Sequence, residues 1–222
     1  MTSLETLIEP LRHSPQLLEA VDLLQQQIEA EKERRDKFYE EMTPEQKIEF
    51  IDGEVVLHSP ARKEHLDATK LILKLLDTYV ELKGLGTLMV EKCLCVFPRN
   101  DYEPDIVFFG KDKAAELDPK TLKFPVPDLA VEVLSDSTQT NDRGVKFEDY
   151  AANGVGEYWI VDAEKGVVKQ YVLTEEGYDL KLKSSNGRIQ STAIPGFATQ
   201  IEAFFDTAKN LAALKELMDS RS

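Results

Sequence analysis

Apolar positions along this chain switch between two periods. Leu11, Leu17, Leu18, Val21, Leu24 and Ile28 recur at helical spacing. Ser14-Pro15 supplies a start signal, with proline at the first helical position. From Glu29 to Glu41 almost every residue is charged, which predicts a solvated helix carrying i,i+4 ion pairs. Thr43-Pro44-Glu45-Gln46 has the form of a capping box and predicts a short second helix. Ser59-Pro60 opens a long helix that runs to about Lys83, with Leu66, Ile72, Leu73, Leu76, Tyr79 and Val80 as its buried face and Gly84 and Gly86 beyond its end. A last helix spans Phe204 to Met218.

Shorter apolar runs lie between these helices. Asp52-Gly53 is a hairpin turn ahead of Val55 to Leu57. Leu88 to Phe97 reads as one strand, and Ile106 to Phe109 as the next. The stretch from Pro127 to Asp162 organises the rest. It reads as a strand (Asp128 to Leu134), a polar loop (Ser135 to Asn141), a helix (Asp142 to Ala152), an Asn153-Gly154 stop and a strand (Glu157 to Val161). Strand, helix and strand at this length predict a parallel pair, hence an α/β or mixed sheet. Gly166 to Thr174, Tyr178 to Lys183 and Arg188 to Thr192 then predict a meander that extends the sheet.

Two acids break the apolar pattern. Glu132 sits inside a Val/Leu strand, where a carboxylate is costly unless it is paired or holds a metal. Asp105 opens the Ile106 strand directly after Pro104. On neighbouring strands the two can face the same side, and paired carboxylates with water suit Mg²⁺ or Mn²⁺. Arg143, Lys146 and Tyr150 follow at i, i+3 and i+7 and are expected on one helix face, with Lys146 reaching the acids. Asp128 repeats the Pro-Asp pattern and shares a face with Glu132 by period two, so it competes with Asp105.

Composition narrows the partners. A net charge of −14 disfavours nonspecific polyanion binding, so a nucleic-acid contact needs a local basic groove or metal ions. Cys93 and Cys95, two apart on a strand, are expected as free thiols in a reducing compartment. With the three His scattered, no zinc site is expected. Neither a signal peptide nor a bilayer-length apolar run is visible, so a soluble cytoplasmic protein without membrane contact is expected.

Several motifs in order carry a family resemblance: IDGEVVLHSP, KEHLDA, EPDIVFF, PDLAVEVLSDST, DRGVKFEDYAANGVGEYWIVD and a late PGF. From Ile48 to Phe205 the chain resembles the restriction-endonuclease-like, PD-(D/E)XK superfamily, and within it the Uma-two type of bacterial endonucleases. The resemblance implies a restriction-endonuclease-like α/β fold, a mixed sheet flanked by helices. It sets residues 48–205 between an N-terminal helical extension, residues 1–47, and a C-terminal helix, residues 206–222. It implies a metal-dependent endonuclease acting on nucleic acid, with DNA favoured, and a homodimer. Asp105 becomes the first acid, in preference to Asp128, and Glu132 the third-motif acid. The Val133 carbonyl becomes a further ligand for Mg²⁺ or Mn²⁺. The third-motif lysine is replaced here by Leu134, and Lys146 on the following helix is its match. Glu54 and His65 also match, Glu54 as an outer acid and His65 as a substrate contact or a cap of the helix start. Arg143 and Tyr150 are further candidates for an outer or substrate contact, with Tyr150 otherwise read as a core aromatic. The alternatives are a catalytically inactive nucleic-acid- or protein-binding module on the same fold, and a hydrolase using paired carboxylates, such as a glycosidase.

Overall fold

The computed structural model describes residues 4–43, 45–135 and 138–219. Two helices, α1 (Leu4–Arg12) and α2 (Leu17–Glu41), precede a hairpin of β1 (Ile48–Ile51) and β2 (Glu54–Leu57). The capping-box helix does not form: Gln46 N–H closes a turn on the Thr43 carbonyl and β1 begins two residues later, while Pro44 lies outside the described residues. Asp52 and Gly53 both hold positive φ, +50° and +84°, as a two-residue hairpin turn requires.

The long helix α3 (Lys63–Lys83) ends at Gly84 in the left-handed conformation, and starts three residues later than Pro60 suggests. Its Ile72, Leu76, Tyr79 and Val80 are buried, whereas Leu66 is half exposed. The strand expected over residues 88–97 is two strands, β3 (Gly86–Val90) and β4 (Leu94–Val96), broken at Glu91-Lys92. Cys93 lies in that break, and both cysteines are buried and free. Then come β5 (Asp101–Tyr102), β6 (Ile106–Gly110), α4 (Lys111–Ala115), β7 (Lys123–Phe124) and β8 (Leu129–Val133).

The helix expected over residues 142–152 starts at Val145 as α6 (Val145–Ala152); Gly144, at φ −114°, ψ −105°, separates it from a short α5 (Gln139–Arg143) that forms largely within the expected polar loop. β9 (Glu157–Asp162), β10 (Val167–Thr174) and β11 (Gly177–Ser184) follow. The meander stops there: β12 (Arg188–Gln190) leaves the sheet and pairs with β13 (Ala198–Gln200). A 3₁₀ turn leads into α7 (Thr207–Asp219).

The main sheet has six strands in the order β11-β10-β9-β8-β6-β3, with β8 and β9 parallel and the others antiparallel, so it is mixed as expected. Its two faces follow period two. Phe108, Val131, Trp159 and Val161 pack with α3 residues such as Ile72 and Leu76, and with Leu217 of α7. Val107, Ala130 and Ile160 face the other way, toward Tyr150 of α6 and Cys95 and Tyr102 of a second sheet, ordered β2-β1-β5-β4-β7.

The charged half of α2 is solvated on one face, where Lys37 pairs with Glu41 at i,i+4, but its other face docks on the body. Glu31 accepts two N–H donors of the single Arg99 guanidinium, at 2.9 Å each, and Arg35 makes a bidentate pair with Asp101 at 2.6 and 2.7 Å. Phe38 packs on Phe50. Toward the N-terminus the same helix leaves Leu17, Val21, Leu24 and Ile28 exposed by 37–53%, and among the described residues none buries that stripe. Among the described residues no helix is long and apolar enough to cross a membrane.

Candidate active site

The antiparallel register of β6 and β8, Val107 with Ala130 and Ile106 with Val131, carries Asp105 to the level of Glu132. Directly opposed residues on antiparallel neighbours point to one face, so the two acids share a side of the sheet. Both are buried. Asp105 Oδ2 accepts the Val133 N–H at 2.8 Å, and Oδ1 lies 2.8 Å from Lys47 Nζ and 3.3 Å from His65 Nε2. Burial alone pushes the Asp105 carboxyl up, but His65 and Lys47 outweigh it and hold the group well below the usual carboxylate range.

Glu132 has a different environment. Its Oε1 accepts from Lys146 Nζ at 2.9 Å and from the Tyr150 hydroxyl at 3.0 Å. Burial pushes this carboxyl up to about 8 against the pull of Lys146, and Asp142, Asp105 and Glu49 push the same way. Lys146 is sealed in, at 1% exposure, with Glu49 at 2.8 Å and Asp142 at 3.3 Å completing a ring of acids around it. Glu49 is held down to about 2: burial opposes this, and Lys146 and His58 overcome it. His58 Nε2 lies 3.0 Å from Glu49 Oε2 without hydrogen-bond alignment, and both Asp142 oxygens likewise lack an aligned donor.

A cleft of about 850 Å³ opens above this arrangement. Its walls include Lys47, His65, Glu91, Asp105 and Glu132 but neither Lys146 nor Tyr150. The expected common face of Arg143, Lys146 and Tyr150 is broken at Gly144: Lys146 and Tyr150 turn inward, and Arg143 is exposed. Glu54 is also exposed, at the hairpin turn. Asp128 is elsewhere, binding the Gly110 N–H and Lys113 Nζ at 2.7 Å each, beyond the opposite end of β8.

Residues 35–202, well over half of the chain, match the family described as "Uma2: Putative restriction endonuclease". The chain belongs to the Uma2 family. Its fold is similar to that of a crystal structure described as a putative nuclease belonging to DUF820 from Anabaena variabilis ATCC 29413. That likeness has a TM-score of 0.66 at 16% identity and covers 77% of this chain and 96% of the other. A weaker likeness, with a TM-score of 0.36 at 13% identity, is to the type IIG restriction endonuclease BpuSI, over 75% of this chain and 18% of that one. No curated protein matches.

The structure brings Glu91, which the Uma2 motifs do not single out, to two residues that they do. His65, Glu91 and Asp105 each offer a ligand atom, all within 4.8 Å of one another. One imidazole and two carboxylates form a donor set that fits a divalent cation. Glu91 is brought there by the break between β3 and β4, where Glu91 and Lys92 hold φ of +52° and +44°. Such conformations cost non-glycine residues roughly 1–3 kcal/mol each and cluster at functional sites. The Glu91 N–H donates to the Asp105 carbonyl at 3.2 Å, which fixes the turn against the acid. In the hairpin, Glu49 rather than Glu54 reaches the buried acids. Lys47, Glu49 and Ile51 alternate with Ile48 and Phe50, a period-two signal that starts before the Phe50 strand edge.

Proposed function

We propose that this protein is a metal-dependent nuclease hydrolysing phosphodiester bonds of nucleic acid, DNA by preference, with Asp105 and Glu132 as ligands of Mg²⁺ or Mn²⁺. The observation that carries this reading is the meeting of both acids, on adjacent central strands, at the floor of one cleft. A bound divalent ion there would supply charge neutralisation at the phosphate and a lowered pKa for an attacking water. The Val133 carbonyl is the proposed main-chain ligand, and His65 and Glu91 extend the donor set around Asp105. Lys146 and Tyr150 fix the Glu132 carboxylate from below, so we assign them positioning roles. Glu54 and Arg143 lie outside the site as placed, and we leave them at most an outer contact with a long substrate.

The test is cleavage of plasmid and single-stranded DNA with Mg²⁺ or Mn²⁺. Asp105→Asn and Glu132→Gln are each expected to abolish it, and cleavage retained by both variants would remove the reading. One observation favours a binding module without turnover: Leu134 occupies the third-motif lysine position and Lys146 does not reach the cleft. That reading requires nucleic-acid binding by a wild-type protein that cuts nothing.

We also propose a homodimer built on α2. Leu17, Val21, Leu24 and Ile28 follow three-four spacing, and the seam continues through Glu31, Arg35 and Phe38, which dock on the body. The free half of that seam suits the same stripe of a second copy. Leu24→Asp is expected to halve the mass measured by light scattering, whereas a monomeric wild type would remove the dimer.

A further inference from the structure

We propose that Lys47 is the cation this cleft presents to the scissile phosphate of the substrate, an inference that rests on the nuclease reading above. Two lysines are drawn into the acid cluster. Lys146 is enclosed by Glu49, Glu132 and Asp142 and has no place on the cleft wall. A cation sealed under the sheet face cannot touch a phosphate in the cleft. Lys47 lies on the wall with Asp105 and Glu132, and its side chain keeps 18% exposure.

Lys47 is also held in place as a mobile surface lysine is not. Its carbonyl accepts the His58 N–H at 3.1 Å, one step beyond the β1–β2 ladder that ends at Ile48 and Leu57. Period two then aims it to the same side as Glu49, so one strand delivers Glu49 to the buried cluster and Lys47 to the cleft. The Nζ reaches Asp105 at 2.8 Å, its one ion-pair partner among the described residues.

Asp105 does not need Lys47 for its own satisfaction, since the Val133 N–H and His65 also approach it. A divalent ion on Asp105 would compete with the ammonium for the same carboxylate. An ammonium carries three donors, and those that Asp105 releases serve the non-bridging oxygens of a phosphate beside the acid. Lys47 therefore fills in this geometry the place that Leu134 leaves in the motif, from the position just ahead of β1.

Lys47→Met and Lys47→Arg in the full-length chain test this with three readouts: Mn²⁺ affinity by calorimetry, affinity for a short oligonucleotide in Ca²⁺, and cleavage rate in Mn²⁺. Lys47→Met is expected to bind Mn²⁺ as tightly as wild type or more tightly, because the competing cation is gone. It is expected to bind the oligonucleotide more weakly and to lose cleavage by roughly 10²–10³-fold, the scale of a lost transition-state contact. Lys47→Arg keeps the charge and is expected to recover oligonucleotide binding. Cleavage by Lys47→Met within a few-fold of wild type would overturn the proposal while leaving the nuclease reading intact. Loss of Mn²⁺ binding together with cleavage would overturn it too, because Lys47 would then only organise Asp105. A Lys47→Met chain that fails to fold would leave Lys47→Gln to give the same readouts. A wild-type protein that neither binds Mn²⁺ nor cuts would remove the nuclease reading and this inference with it.

Discussion

Glu157 and Glu132 sit on adjacent parallel strands, both almost fully buried, and they are handled in opposite ways. Glu157 accepts from the Trp159 indole at 2.6 Å and from Gln170 at 2.5 Å. It also accepts from Ser191 at 2.7 Å, from Thr192 through its N–H at 2.8 Å and its hydroxyl at 3.1 Å, and from the Ala193 N–H at 2.8 Å. Every donor is neutral, and together they clamp the segment after β12 onto β9. Glu132 instead shares one lysine with Glu49 and Asp142, faces Asp105 across the strand gap and lines a cleft. A carboxylate that only ties a fold together is wrapped in matched donors. One crowded by other acids is costly without added positive charge, and that cost is what a divalent cation relieves.

Removing each acid should therefore have opposite effects on stability. Glu157→Ala leaves a set of buried donors without an acceptor. Hydrogen bonds to charged groups contribute roughly 1.5–3 kcal/mol each, so a loss of at least about 3 kcal/mol is expected from denaturant unfolding. A loss under about 1 kcal/mol would mean that the clamp is not structural. Glu132→Gln replaces a carboxyl that the fold keeps protonated up to about pH 8 with a neutral amide, so the metal-free protein is expected to be as stable as wild type or more so. A large destabilisation would put Glu132 in the same class as Glu157.

The pH dependence sharpens the contrast at smaller scale. The folded Glu132 carboxyl holds its proton up to about 8, whereas an unfolded glutamate releases it near 4.5. The folded state thus binds more protons between those values, and the wild type loses stability as pH rises through that window. Glu132→Gln lacks this term. Its melting temperature without metal is expected to gain on the wild type from pH 5 to pH 8.5, and a gap that narrows with pH would contradict the raised carboxyl.

The same contrast explains what the sequence makes visible. The Pro127–Asp162 unit is legible because period, polar loop and Asn-Gly stop agree, and Glu132 stands out against Val and Leu neighbours. Asp105 is legible from its place at the start of an apolar strand. Glu49 and Lys47 are hidden because they fall where the Thr43–Gln46 capping box predicts a short helix, although Ile48 and Phe50 alternate with them. Glu91 is harder still: two left-handed residues without glycine or asparagine interrupt what looks like one strand. The break at Gly144 similarly removes Arg143 from a face that an unbroken helix would have given it. In the extension, composition cannot distinguish the half of α2 whose charges find partners on the body from the half that finds none.

The most direct test of the central claim is a calorimetric titration of Mn²⁺ into wild type, Asp105→Asn and Glu132→Gln. Saturable binding by the wild-type protein, lost or weakened at least tenfold in both variants, is the expected result. A wild type that binds no Mn²⁺, or variants that bind it as tightly as wild type, would contradict the assignment of these two acids as metal ligands.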